Sequence, residues 1–256
     1  MPDIIEIKNG IFKSSDGELI MYDQIIARAP GIVFLHGLKS DREGTKSTQL
    51  YKYCKENRRS FLGFDMFGHG KSSGNFANSS ISRWTDDAIQ IITNICQGPQ
   101  LIVGSSMGGW IMLNIAIRMG TDILGLIGIA AAPDFTENLI WNKLTDKQKA
   151  VMLKNGELPM PTAYQEEPYN IGLILLKDGR KHLLLKRKIA FDGPVVLLHG
   201  TMDQEVPWDT SIKIAEQLTS TDVKVILVKN GEHNLSKDDD INLIINSIET
   251  VYTKIA

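Results

Sequence analysis

The sequence predicts an α/β fold, a mostly parallel central sheet flanked on both faces by helices. Three observations lead there. Short apolar runs rich in β-branched residues alternate with longer amphipathic stretches, as they do when crossover helices link successive strands. The segment from Ile4 to Ile26 instead alternates along its length, which suits one or two hairpin strands added at a sheet edge. One long stretch, between Pro133 and Gly193, breaks the rhythm.

The first buried strand is Gly31-Ile32-Val33-Phe34-Leu35, followed by a helix from about Lys46 to Asn57. Ser60 to Asp65 is the next strand and Ile81 to Gln97 the next helix. Gln100 to Gly104 leads into a helix from Met107 to about Met119, and Ile123 to Ala131 is the sixth strand. Late in the chain, Val195 to Leu198 and Val223 to Val228 are strands, with helices near Thr210 to Leu218 and Asp238 to Lys254. The irregular stretch carries Pro159, Pro161 and Pro168, no evident strand, and helices at Asp146 to Lys154 and Ile171 to Leu176. An insertion of this length suits a short helical cap better than a structureless loop. Residues 134–192 are therefore expected to form a cap within a single domain over residues 1–256.

With 256 residues, 43% of them hydrophobic, the chain is long enough to bury a substantial core as one unit. A formal net charge of −2 argues against a general nucleic-acid binder, because phosphate-driven binding needs a field of Lys and Arg. Two cysteines, Cys54 and Cys96, make neither a disulfide framework nor a metal cluster and fit a reducing compartment. The opening MPDIIEIKNG lacks the basic-then-apolar layout of a secretion signal. No apolar run approaches the roughly 18 to 20 residues of a membrane helix. A cytoplasmic protein without a membrane span is the expectation.

Gly104-Ser105-Ser106-Met107-Gly108 fits the G-x-S-x-G pattern. The string alone is weak, but a strand precedes it and a helix follows. Ser106 therefore sits at a sharp strand-to-helix corner, a nucleophile elbow. Small residues at Gly104 and Gly108 allow the close backbone approach of that turn. The helix beyond points its N–H groups and positive dipole end toward a developing oxyanion.

A serine hydroxyl needs a base. His36 and His199 each end a strand as Leu-His-Gly, which packing explains as well. His69 lies in the turn Phe67-Gly68-His69-Gly70, and His182 sits in a basic, solvated stretch. His233 follows the last core strand, where the chain order nucleophile, acid, histidine requires the base. Asp203, in the loop after Val195 to Leu198, is the matching acid that would hold the imidazole's tautomer. Asp134, Glu205 and Glu232 are rival carboxylates, each more simply a surface or capping residue. Backbone N–H groups of Leu38, after the early strand, and Met107 are the expected oxyanion donors.

These motifs resemble the α/β-hydrolase family of serine hydrolases over nearly the whole chain. Several further strings are similar to its palmitoyl-protein thioesterase and acyl-glucuronide esterase branch. They are Gly44-Thr45-Lys46, Phe67 to Gly74, Val103 to Trp110, Leu198-His199-Gly200 through Val206-Pro207-Trp208, Ser220 to Val223, and Met160-Pro161 with Tyr164. The resemblance implies that Ser106, Asp203 and His233 are nucleophile, acid and base. It also implies a short helical cap and hydrolysis of S-acyl or acyl-ester bonds of a small molecule or acylated protein, with no cofactor and no metal. The targeting extension of the branch is not seen, which keeps the expectation cytoplasmic.

Acyl substrates need an apolar slot. Met107, Trp110, Trp141, Met160, Val206 and Trp208 lie near loops expected at the carboxyl edge of the sheet, or in the cap. Cap-to-body packing is the competing account of each. Lys177 to His182 and Lys186-Arg187-Lys188 make the late cap basic. That basicity suits either a solvated surface or recruitment of an anionic leaving group. Asp238-Asp239-Asp240 opens the last helix, where negative charge complements the dipole better than it suggests a metal. Three function classes follow: an ester or thioester hydrolase, a peptidase, lyase or cofactor-free peroxidase on the same elbow, and a binding module that kept the scaffold. A dehalogenase of this fold needs Asp where Ser106 stands.

Overall fold

The architecture follows from strands that must bury both faces. In the computed structural model, residues 5–160 and 169–255 are described. Pro161, Tyr164 and Pro168, singled out in the sequence, lie outside them, as does Ile4. Strands β1 (Glu6–Lys13) and β2 (Leu19–Ile26) form an antiparallel hairpin at one edge. Then β3 (Arg28–Leu35), α1 (Thr45–Glu56), β4 (Arg59–Phe64) and α2 (Ile81–Ile95) follow. After β5 (Gln100–Ser105) come α3 (Met107–Met119) and β6 (Ile123–Ile129).

Between β6 and the next core strand, short helical turns at Thr136–Ile140 and Trp141–Lys143 precede α4 (Asp146–Asn155). Next come two short strands, β7 (Glu157–Met160) and β8 (Tyr169–Gly172), and then α5 (Leu173–Gly179). The body resumes with β9 (Val195–Gly200), α6 (Asp209–Gln217), β10 (Val223–Val228) and α7 (Asp238–Ile255).

Eight strands make one sheet in the order β1-β2-β4-β3-β5-β6-β9-β10. Pairing is antiparallel from β1 to β2 and from β2 to β4, and parallel across β4, β3, β5, β6, β9 and β10. The period of two sorts residues between the faces. Val33, Leu35, Ile102 and Leu197 pack with Trp84 and Ile91 of α2, Trp110 of α3 and Ile214 of α6. Ile32, Phe34, Val103 and Leu198 pack with Leu50 of α1 and Ile244 and Ile248 of α7 on the other face.

The chain leaves β3 toward β4 and then returns to β5 on the opposite side. That reversal opens a crevice at the carboxyl ends of β3 and β5, where ligands of such sheets bind. The strand-free reading of the insertion needs correction, because β7 and β8 pair antiparallel from Glu157↔Gly172 to Met160↔Tyr169. Pro159 hid β7, since proline counts against a strand, yet it is tolerated in a two-stranded ribbon with an open edge.

Candidate active site

Ser106 takes φ 53°, ψ −117° between β5 and α3. A non-glycine residue holds such a conformation only where its surroundings enforce it. The Ser106 N–H donates to the Ile129 carbonyl, and the Ser106 carbonyl accepts from Gly109 and Ala132 N–H. A Cβ on Gly104 would lie 2.5 Å from the Gly108 carbonyl oxygen, and one on Gly108 2.2 Å from the Leu35 oxygen. Only glycine at both positions lets the helix start this close to the sheet.

Two loops at the same sheet edge complete the cluster. His233 Nε2 is 3.0 Å from Ser106 Oγ, and its Nδ1 is 2.7 Å from Asp203 Oδ2. The Asp203 side chain is wholly buried. Its Oδ1 accepts the Glu205 and Val206 N–H groups at 2.9 Å each. Burial alone would raise the pKa of Asp203, but hydrogen bonds from His199 and His233 hold it well below the usual carboxylate range. The carboxylate is thus ionised at neutral pH. Glu205 Oε2 stands 3.6 Å from His233 Nε2 on the solvent side.

The loop after β3 is fixed by His36. Its Nε2 accepts the Met66 N–H at 3.0 Å, so Nδ1 bears the hydrogen and donates to the Gly37 carbonyl at 2.8 Å. Burial lowers the pKa of His36, in keeping with that neutral form. A Cβ on Gly37 would be 3.4 Å from Ser106 Cβ, so this backbone runs directly beside the serine. On the opposite wall the Lys46 ammonium, which burial pushes down to about 8, donates to the Asn234 carbonyl at 2.5 Å. It ties the His233 loop to α1.

Ser106 and His233 open into a cavity of about 640 Å³, within the range of small-molecule sites. Leu38 and Met107 line it beside the serine, and Met160 and Val206 line it as well. Phe135, Leu139, Ile140 and Tyr169 complete the apolar side. Sequence reasoning missed these four, since nothing in a single sequence marks which apolar cap residues face inward.

The three tryptophans are not among its lining residues, and each has a physical reason. Trp110 is fully buried in α3, its Nε1 donating to the His182 carbonyl and its ring edge-on to Phe135. Trp141 lies under the Arg180 and Lys149 cations on the cap surface. Trp208 is 42% exposed just before α6.

One carboxylate and one histidine also need correction. Asp134 is buried and receives the Leu184 and Leu185 N–H groups at 2.7 and 3.0 Å, pinning the two ends of the insertion together. His182 is half-buried and bonded to Ser82 rather than free in solvent. None of the basic residues from 177 to 188 lines the cavity; Arg180 pairs with Glu137 and Lys181 with Asp178. Among the described residues no cluster of His, Cys, Asp and Glu could hold a metal, and no helix is long and apolar enough to cross a membrane.

A serine on a strained elbow above the switch point of this sheet defines an α/β hydrolase, and the chain belongs to that family. The family profile described as serine aminopeptidase, S33 (Hydrolase_4), matches residues 28–174. Relatives carry the resemblance further. The mitochondrial palmitoyl-protein thioesterase ABHD10 of Rattus norvegicus is 37% identical over 238 residues, 93% of this chain and 80% of that protein. The solved alpha/beta hydrolase domain-containing protein 10 from mouse superposes with TM-score 0.89 at 33% identity, covering 97% of this chain and 100% of that one. A putative hydrolase from Agrobacterium vitis gives TM-score 0.88 at 32% identity, over 97% of this chain and 99% of the other. The protein is thus a hydrolase of ester or thioester bonds.

One expectation is overturned. The mammalian relatives are named as mitochondrial, so the cytoplasmic location does not stand. Free cysteines report a reducing or sheltered environment, with Cys54 buried here, and that is not an address.

Proposed function

We propose that the chain cleaves acyl thioesters or esters through an acyl-enzyme on Ser106, with His233 as general base and Asp203 as its orienting acid. The observation that carries this reading is the relay itself. One imidazole stands 3.0 Å from the serine hydroxyl and 2.7 Å from a buried carboxylate, through opposite ring nitrogens. With Nδ1–H donated to Asp203, Nε2 is left to accept the hydroxyl proton as Oγ attacks the acyl carbon. The same proton then goes to the departing thiol or alcohol. Water, activated by the same nitrogen, releases the acid and frees Ser106.

Charge on the tetrahedral oxygen falls to the Met107 N–H, reinforced by the α3 dipole, and to the Leu38 N–H across the cleft. The cavity supports an acyl substrate, because its apolar side is built from Met107, Phe135, Leu139, Ile140, Met160 and Val206. S-acylated cysteine of a protein is the substrate class favoured by the relatives' name. The cap, in its described residues 134–160 and 169–192, roofs this slot within one domain. A fluorophosphonate should add its mass to Ser106, and hydrolysis of acyl thioesters should rise with chain length until the slot is full. Labelling elsewhere, or full turnover by Ser106→Ala, would sink the assignment.

The family description favours a second reading, amide cleavage by the same residues. Aminoacyl p-nitroanilides set against p-nitrophenyl acyl esters separate the two, and faster anilide hydrolysis selects the peptidase.

A further inference from the structure

We propose that His199 is a positioning residue of the reaction, holding the carboxylate that in turn orients His233. This rests on the Ser106–His233–Asp203 reading above. Asp203 Oδ2 is shared by two imidazoles, His233 Nδ1 at 2.7 Å and His199 Nε2 at 3.1 Å. His199 is wholly buried at the end of β9, and its tautomer follows from its neighbours. The Val206 carbonyl, 3.0 Å from Nε2, can only accept, and so can the carboxylate, so Nε2 carries the hydrogen. Nδ1 is then an acceptor for the hydroxyl of Ser211, 2.8 Å away and fully buried in α6.

The acid is therefore gripped from a strand and a helix, not only from its own loop. Its Oδ1 is satisfied by two backbone N–H groups, and its Oδ2 by two rings. An oxygen that serves two donors binds each less strongly than one that serves a single donor. His199 thereby tempers how far Asp203 stabilises the protonated His233, besides fixing where the carboxylate points. The other groups facing His233 act at its Nε2, where Ser106 Oγ stands at 3.0 Å and Glu205 Oε2 at 3.6 Å. Lys46 meets the same loop through the Asn234 carbonyl.

The test is the pH dependence of kcat and kcat/KM for ester hydrolysis by the full chain, in wild type, His199→Leu and His199→Gln. Leucine removes the donor to Asp203, so the His233 imidazolium gains stability and the acid limb of kcat/KM moves to higher pH. The kcat of that variant should fall roughly tenfold or more through loosened geometry, with KM little changed. Glutamine returns an N–H near the place of Nε2 and should bring back most of kcat and the original limb. A folded leucine variant whose acid limb stays where wild type has it overturns the proposal.

Should the leucine variant not fold, ¹⁵N NMR of the wild-type histidines decides. An Nε2–H tautomer for His199 supports the role; an Nδ1–H tautomer removes it. Failure of the underlying reading looks different. If Ser106→Ala keeps full turnover, the relay itself is wrong. If Ser106→Ala is dead and only the His199→Leu limb fails to move, the relay stands and His199 merely packs.

Discussion

Among the described residues two clusters follow the chain order serine, aspartate, histidine, and only one of them has the geometry of a relay. In Ser106–His233–Asp203 the imidazole stands between the other two, using one nitrogen for each. In Ser82–His182–Asp178 the hydroxyl stands between. Ser82 Oγ donates to Asp178 Oδ1 at 2.9 Å and lies 2.7 Å from His182 Nε2, while that same nitrogen is 3.8 Å from Asp178 Oδ2. A histidine that shares one nitrogen between both partners has no second face with which an acid can orient it.

The backbones differ too. Ser106 is held in left-handed φ at a strand end beside the cavity, whereas Ser82 lies in the first turn of α2. Its N–H donates to Asp178 Oδ2 at 2.7 Å, so Asp178 caps α2 from α5 and bolts the insertion to the body. Both clusters obey the chain order serine, aspartate, histidine. Order and composition therefore do not separate these two clusters; which atom lies in the middle, and whether the serine opens on the cavity, does.

The sharpest way to break this distinction is to truncate each cluster in turn. Ser106→Ala or His233→Ala should lower turnover of an acyl ester on the order of 10⁶-fold, with an unchanged circular dichroism spectrum. Ser82→Ala should leave turnover within about threefold, because its hydroxyl supports structure rather than the reacting atoms. Comparable losses in both would erase the distinction.

The acids give the next largest effect. Asp203→Asn should cost about 10⁴-fold in kcat, since an amide favours the wrong His233 tautomer. Asp178→Asn should act on stability instead, by roughly 1–2 kcal/mol through the weakened helix cap, read as a thermal midpoint several degrees lower. If kcat of Asp178→Asn falls by orders of magnitude at saturating substrate, the second cluster is more than a bolt.

The sequence carried much of the first cluster and none of the second. Ser106 was marked by glycines that the elbow requires, and Asp203 and His233 by their places after β9 and β10. The parallel strands stood out because both faces are buried and so read as apolar runs. Chain-distant contacts left no such trace. Ser82 and Asp178 are 96 positions apart and meet only because the insertion folds back over α2. Trp110 resembles a pocket residue because α3 follows the elbow, yet α3 is buried from Met107 to Ala116 and Trp110 turns its indole to the cap instead. His199 looked like packing, being indistinguishable in sequence from His36, which also ends a strand as Leu-His-Gly.

The smallest effect sharpens the comparison through pH. Burial pushes the Asp178 carboxyl up, but the N–H and O–H of Ser82 and the Lys181 ammonium outweigh it, so its folded pKa lies below the ordinary 3.8. A depressed carboxylate pKa stabilises the fold above the unfolded value and ceases to do so as pH falls through the folded one. The midpoint gap between wild type and Asp178→Asn should accordingly be constant near neutrality and close as pH drops below about 4. Asp203 is held lower still by its two imidazoles, so the corresponding gap for Asp203→Asn should persist to more acid pH before it closes. Unfolding midpoints of the three proteins at pH 7, 4 and 3 suffice, and an Asp178→Asn gap equally wide at all three would mean that the charge of that carboxylate does not hold the cap.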